Sequence, residues 1–195
     1  MKRLAGLTVL AILTVGVAVP AQDAATTHPY YPLKVGSEWT YKVQGGPIKV
    51  KVAGPEKVGQ ISGYKLETSA GNKVSATETV AVTPEGVKRL NVNGLTPEQP
   101  ILFLPTDPDA TKSWDVDTKV GGQTIKGKFT ASREKVSVPA GSYDAVHVKG
   151  ADMQIGTTST TVEYWFAKDV GIVKLKFTLG SQDATLELES YTAGK

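Results

Sequence analysis

The residues that could carry chemistry in this 195-residue chain are few, because cysteine is absent and there are two histidines. His147 lies in the alternating segment 145–149, on the same strand face as Ala145 and Lys149. Imidazole there could act as a general base or a ligand, but an ordinary surface strand position needs neither role. His28 stands beside a proline in a small polar segment, without the rigid support that a catalytic group needs. No catalytic residue is therefore predicted.

The acidic segment 106–118 is the best metal candidate, since oxygen-rich clusters suit Ca²⁺. A count of EF-hand positions from Asp107, however, places Lys112 where the loop needs glycine. Asp-Pro-Asp is also ordinary turn chemistry. The sequence thus predicts no metal site and no cofactor. The segment has four aspartates: Asp107, Asp109, Asp115 and Asp117.

Paired carboxylates are a further possibility, because two of them at a suitable separation can hydrolyse glycosidic bonds. Glu163, Glu187 and Glu189 fall on alternating strand positions, which is typical of a solvated sheet face. The primary prediction is that the chain is not an enzyme. A carboxylate-dependent hydrolase is the alternative.

The elements that position these residues are β-strands. Glu38–Val43 and Ile48–Val52 alternate apolar with polar residues. The same alternation recurs in further segments along the chain, the last of which is Leu186–Glu189. Turns rich in glycine separate these segments, as at Gly45-Gly46 and Gly121-Gly122. We predict an all-β fold: one strongly curved antiparallel sheet of about twelve strands, a half-barrel or flattened barrel. A two-sheet sandwich is the alternative.

Two segments indicate an internal duplication. Residues 42–51 (KVQGGPIKVK) and 119–128 (KVGGQTIKGK) share six of ten residues at an offset of 77. Trp39 precedes the first copy and Trp114 the second. Two pseudo-equivalent halves, about 30–105 and 106–195, would cover each other's apolar faces in one domain.

Residues 1–21 are typical of a signal peptide, with Lys2 and Arg3 before an uncharged apolar stretch and Ala21 at the cleavage site. A flexible lead-in, 22–29, and a single β domain, 30–195, would follow. The formal net charge is +3, and removal of Lys2 and Arg3 leaves +1, which gives no reason to expect nucleic acid. We expect a secreted or periplasmic protein that does not span the membrane after signal cleavage.

Aromatic residues occur in several of the predicted strands. On the concave side of a curved sheet they could line a site for an apolar ligand, whereas a plain core would need none. The candidate lining residues are Trp39, Tyr41, Phe103, Trp114, Phe129, Tyr164 and Phe166.

Four segments carry a resemblance that spans nearly all of the chain after residue 21: YYPLKVGSEWTYKV (30–43), PILFLP followed by SW (100–114), VPAGSYDAVHV (138–148) and EYWFAKDVGIVKLK (163–176). Together they resemble exported bacterial β-proteins known only as domains of unknown function. Some of these are similar to the curved-sheet periplasmic carriers that ferry lipoproteins. The resemblance implies a lipid or acyl-chain ligand and brings no catalytic residues.

These observations predict an exported, non-enzymatic protein of the cell envelope, a binding or interaction module for an apolar or lipid-like ligand. Its expected partner is an apolar small molecule or another envelope protein. A structural or assembly protein of the envelope is the second alternative beside the hydrolase.

Overall fold

A computed structural model describes residues 27–180 and 182–195. The predicted signal peptide and residues 22–26 of the predicted lead-in lie outside the described residues. Within the described ranges the chain forms twelve strands and no helix. The strands are β1 (Glu38–Lys42), β2 (Ile48–Val58), β3 (Ile61–Ala70), β4 (Lys73–Thr83), β5 (Gly86–Val92), β6 (Ile101–Pro105), β7 (Ser113–Val120), β8 (Gln123–Val138), β9 (Gly141–Ile155), β10 (Thr158–Ala167), β11 (Gly171–Leu179) and β12 (Gln182–Thr192).

All twelve strands belong to one antiparallel sheet in the order β6-β5-β4-β3-β2-β1-β12-β11-β10-β9-β8-β7. The first and last strands, β1 and β12, pair in its middle, and β6 and β7 form its two edges. Strong curvature brings the edges towards each other, so that the sheet is nearly closed. The predicted single curved sheet is thereby confirmed, and the two-sheet sandwich is excluded.

The interior is filled by the apolar side of each alternating strand. Trp39 and Tyr41 of β1 face Val52 and Leu66 of the next two strands, all of them buried. Full burial of one such side chain stabilises the fold by about 1.5–3 kcal/mol. The period-two pattern of the sequence therefore has its physical cause in this one shared core.

The β1–β2 and β7–β8 hairpins have the same pairing register. Tyr41 pairs with Ile48 in the first hairpin, and Thr118 pairs with Ile125 in the second, each 77 residues further along. At this offset Trp39 corresponds to Val116, so that Trp39 and Trp114 lie in matching strands but two residues apart.

The two ends of the curved sheet differ. The turns after β1, β3, β5, β7, β9 and β11 surround one end, which we call the mouth. The other end, the closed end, is filled by residues 28–33. There Tyr31 is buried between Trp39 and Phe103, with ring centroids 6.2 and 5.7 Å away. The N-terminal segment thus closes one end of the interior, and we call Tyr31 the stopper of this end.

His28 fixes this segment in place. Its Nδ1 accepts a hydrogen bond from Tyr30 N–H (3.2 Å), and its Nε2 lies 3.2 Å from Pro105 O. Asp169 N–H donates to Pro29 O at 2.7 Å. Burial lowers the pKa of His28, although the bond to Pro105 opposes this effect. The arrangement suits the neutral imidazole, which accepts at Nδ1 and donates from Nε2.

Candidate functional site

A cavity of about 140 Å³ lies inside the sheet, between the Tyr31 stopper and the mouth. It is open towards solvent and is lined by residues of eight different strands. Its lining residues are mostly aromatic or aliphatic, with a charged pair among them. They are Tyr31, Trp39, Tyr41, Ile48, Val50, Thr68, Glu78, Arg89, Tyr164, Ile172, Leu175 and Leu186.

The charged pair is formed by Glu78 of β4 and Arg89 of β5. Glu78 pairs with Leu66 across the sheet and Arg89 pairs with Val80. Since paired residues point to the same face and Leu66 and Val80 are buried, both charged side chains face the interior. Arg89 Nε donates to Glu78 Oε2 at 2.6 Å.

The surroundings of Arg89 maintain its charge. Its guanidinium lies 5.1 Å above the ring centroid of Phe103. Burial alone would lower its pKa, but the Glu78 carboxylate and the Tyr164 hydroxyl raise the pKa of Arg89 above its ordinary value. The cavity therefore contains a positive and a negative group in direct contact.

Tyr31 and Tyr41 of the cavity are neutral phenols. Burial and the nearby Glu78 carboxylate raise the pKa of Tyr31 and of Tyr41 above the ordinary value. Tyr41 Oη donates to Ile172 O at 2.8 Å. These hydroxyls can exchange hydrogen bonds, but they cannot serve as phenolate nucleophiles near neutral pH.

The path from the cavity to the mouth is apolar. Ile48, Val50 and Leu175 are half-buried. Phe177 lies on the same face of β11 as Leu175, two residues nearer the mouth, and is 37% exposed. An apolar entrance thus leads to a cavity that has one ion pair.

The seven residues that the sequence suggested as ligand lining take different positions. Trp39, Tyr41 and Tyr164 line the cavity. Phe103 and Phe166 pack with Tyr31 at the closed end. Trp114 of the edge strand β7 stacks on Phe129 of β8, with centroids 5.5 Å apart.

Sequence reasoning missed Glu78 and Arg89. A signal was nevertheless present, because Glu78 stands in phase with Val80 and Val82 on the buried face of β4. A charged residue at an in-phase core position indicates a buried polar site rather than a solvated face.

His147 lies on the outer face of the sheet, where the sequence placed it, with its side chain only 14% exposed. Its ring stacks on Trp165 with centroids 4.4 Å apart and an interplanar angle of 7°. Nδ1 lies 3.0 Å from Glu134 and Nε2 lies 3.0 Å from Glu163. Both ring nitrogens therefore lie at hydrogen-bond distance from a carboxylate on the outer face.

The carboxylates of the acidic segment have protein partners. Asp107 accepts hydrogen bonds from two backbone N–H groups of its own turn. Arg133 Nε donates to Asp109 at 3.0 Å, and this bond lowers the pKa of Asp109. No group of three or more His, Asp or Glu side chains in the described part of the chain is arranged to hold a metal ion.

The seam between the edge strands β6 and β7 is bridged without a ladder. Gln99 N–H donates to Thr118 Oγ1 at 2.8 Å, and the Trp114 indole N–H donates to Leu102 O at 2.9 Å. One backbone bond also crosses the seam, from Glu98 N–H to Lys119 O at 2.9 Å, whereas a regular backbone ladder joins β1 to β12. A depression of about 240 Å³ lies along this seam.

The chain is thus an all-β protein with a nearly closed twelve-stranded sheet around a one-ended cavity. It matches no protein-family model and no curated protein. Two solved structures share the fold. A candidate exported protein with a YmcC-like fold from Bacteroides fragilis is 15% identical, with a TM-score of 0.52 over 86% of this chain and 100% of that one. A candidate lipoprotein from Parabacteroides distasonis is 12% identical, with a TM-score of 0.54 over 85% of this chain and 99% of that one.

At these identities the likeness concerns the fold. At that level it confirms the predicted resemblance to exported bacterial β-proteins. Among the residues that the structure describes, none form a helix long and apolar enough to cross a membrane.

Proposed function

We propose that this protein is an exported, non-enzymatic binding protein of the cell envelope that holds an apolar small molecule inside its curved sheet. The observation that carries the proposal is the one-ended cavity. Tyr31 stoppers the closed end, and the partly exposed Leu175 and Phe177 make the mouth an apolar entrance. A concave apolar site with a few polar groups is the usual form of a small-molecule site.

Export is supported by the sequence and by the fold. Residues 1–21 have the pattern of a cleaved signal peptide. The two proteins of the same fold are a candidate exported protein and a candidate lipoprotein. N-terminal sequencing of the exported protein should find a start at or near Gln22, and a retained Met1 in a membrane fraction would contradict this.

A binding role fits the chemistry better than catalysis. His147 has both ring nitrogens bonded to carboxylates on the outer face, remote from the cavity lining. The Glu78 carboxylate is bonded to Arg89, and Tyr31 and Tyr41 remain protonated. The groups that line the cavity can therefore orient a ligand, and Glu78, Tyr31 and Tyr41 offer neither a free base nor a phenolate nucleophile.

The direct test is solvent extraction of purified protein followed by mass spectrometry. A stoichiometric apolar molecule is the expected result. Leu175→Trp should fill the cavity and abolish loading. Lys176→Trp, on the exposed opposite face of the same strand, is the matched control and should remain loaded. Equal loading of both variants would place the ligand elsewhere, and its absence from the wild type would refute the proposal.

Assembly through the sheet edges is the second candidate function. It is favoured by the seam, where β6 and β7 face each other without backbone pairing. Unpaired edges are templates for strand addition by another chain. Sedimentation velocity should then show self-association or a complex that Leu102→Lys weakens, because an edge lysine opposes strand pairing.

We also propose that the two halves arose by duplication. Support comes from the shared sequence of 42–51 and 119–128 and from the common register of their hairpins. In a duplicated chain β1 would correspond to β7 and β12 to β6. The β1–β12 junction would then be equivalent to the β6–β7 seam, although a backbone ladder forms only at the β1–β12 junction. An experimental structure in which the two hairpins do not superpose would remove this proposal.

A further inference from the structure

The buried pair Glu78–Arg89 is not explained by a purely apolar ligand. A buried ion pair is weak evidence for stability, since apolar residues of similar volume often do as well or better. The other lining residues of the cavity are uncharged. A role in ligand recognition would explain why the cavity contains this pair.

The pair directs polar atoms into the cavity. Although both side chains lie inside the sheet, Arg89 is 21% and Glu78 is 25% exposed, and both line the cavity. Arg89 uses Nε for Glu78, whereas a guanidinium has five N–H donors in all. Because both residues line the cavity and are partly exposed, the polar atoms of the pair that are exposed there can contact a ligand.

The charges of the pair select against charged ligands. An anion placed on Arg89 would also face the Glu78 carboxylate, and a cation placed on Glu78 would face the guanidinium. Like-charge contacts are most unfavourable where water is scarce. An uncharged group that both donates and accepts a hydrogen bond satisfies the two partners together. A hydroxyl or a carboxamide has this property.

The size and walls of the cavity restrict the rest of the ligand. About 140 Å³ is close to the roughly 150 Å³ of an apolar cavity that holds benzene, and well below the roughly 300–1,000 Å³ of larger ligand sites. Trp39, Tyr31 and Tyr41 supply flat aromatic walls. The space inside the sheet therefore fits one ring.

We propose that the cavity binds a single-ring, uncharged molecule whose hydroxyl or carboxamide group donates to Glu78 and accepts from Arg89. This inference rests on the proposed binding function and specifies its ligand class.

The test compares five probes of one ring size by calorimetry on the purified protein: phenol, benzamide, benzene, benzoate and benzylammonium. Phenol and benzamide should bind at least tenfold tighter than benzoate and benzylammonium. They should also bind tighter than benzene, because benzene leaves the pair without new partners. Equal affinities for neutral and charged probes, or tighter binding of benzoate, would overturn the inference.

The variant Glu78→Leu/Arg89→Met separates the pair's role from that of the apolar walls. It removes both charges at once and leaves no unpaired buried ion. The ratio of phenol to benzene affinity should fall towards one, while benzene binding is retained. An unchanged ratio would exclude the pair from recognition.

The outcomes also separate this inference from the proposed function. Benzene binding without any preference for phenol or benzamide would refute the ligand class and leave an apolar binding site. If none of the five probes binds and extraction yields no ligand, both proposals fail.

Discussion

Trp39 and Tyr191 stack across the junction of the first and last strands, with ring centroids 5.3 Å apart and an interplanar angle of 22°. They belong to the paired positions of β1 and β12. The Trp39 indole also donates to Val170 O at 2.6 Å. One side chain thereby joins the N-terminal strand, the C-terminal strand and the turn before β11, which makes it a central packing residue of the sheet.

Trp39→Ala should therefore lower the free energy of unfolding by about 3–5 kcal/mol, the range for a large aromatic side chain removed from a core. Trp114 is only half-buried at the seam, although its indole bonds Leu102 O. Trp114→Ala should cost less, about 1–2 kcal/mol. Urea denaturation of the two variants measures the difference. Equal costs would contradict the unequal burial of the two tryptophans.

The same denaturation curves test whether the sheet is one cooperative unit. Because β1 and β12 pair in the middle, both halves depend on the same junction. Tryptophan fluorescence and far-ultraviolet circular dichroism should report a single coincident transition for each variant. Two separate transitions would show that the halves unfold independently.

His147→Ala should cost about 1–2 kcal/mol, more than the roughly 0.5 kcal/mol expected for a surface strand position. The variant loses the stack on Trp165 and leaves Glu134 and Glu163 without their shared partner. His147→Phe retains the aromatic stack, so it should recover part of the loss. Thermal unfolding of the two variants separates stacking from hydrogen bonding, and identical losses would show that stacking contributes little.

Mild acid should weaken the closed end of the sheet through His28. Its pKa is lowered in the folded chain, so between the folded pKa and the unfolded value near 6.5 the unfolded chain binds the additional proton. This contribution is therefore complete above about pH 6.5 and is lost as the pH falls, with a slope of at most about 1.4 kcal/mol per pH unit. Protonation also removes the acceptor for Tyr30 N–H.

The matched variant for this prediction is His28→Gln, which cannot titrate. Its free energy of unfolding should fall less steeply than that of the wild type between pH 6.5 and pH 5. Denaturant titrations at several pH values measure both slopes. If the slopes coincide, His28 does not provide this acid sensitivity.

The sequence predicted the sheet well because its signals are local. Alternation in segments such as Ile48–Val52 and glycine turns such as Gly121-Gly122 are determined within a few residues. The stopper could not be predicted in this way. Tyr31 is buried by contacts with Trp39, Phe103 and Phe166, which are distant in sequence. Their meeting depends on the closure of the whole sheet.

The candidate site was predictable only in part for the same reason. An aromatic residue on a strand indicates an apolar interior, but it does not distinguish Trp39 in the cavity wall from Phe166 in solid packing. The pairing of Glu78 with Arg89 depends on the register of β4 and β5, which shifts at a bulge between Thr79 and Val80. A pattern of alternation does not contain that information.

The ion pair gives the sharpest stability prediction. Arg89→Met removes the partner of Glu78 and leaves a carboxylate facing an apolar cavity. Loss of one partner of a buried pair costs about 3–5 kcal/mol, because the remaining charge is uncompensated. Arg89→Met should therefore destabilise the fold strongly, and urea denaturation of the variant and the wild type measures the difference.

The double variant Glu78→Leu/Arg89→Met is the decisive comparison. Since both charges are gone, its free energy of unfolding should return to near or above that of the wild type. Lys49→Met, which removes the partner of Glu38 in a more exposed pair on the outer face, should cost only about 0–1 kcal/mol. If the double variant is as unstable as Arg89→Met, the pair is required for the fold itself, and its retention needs no ligand.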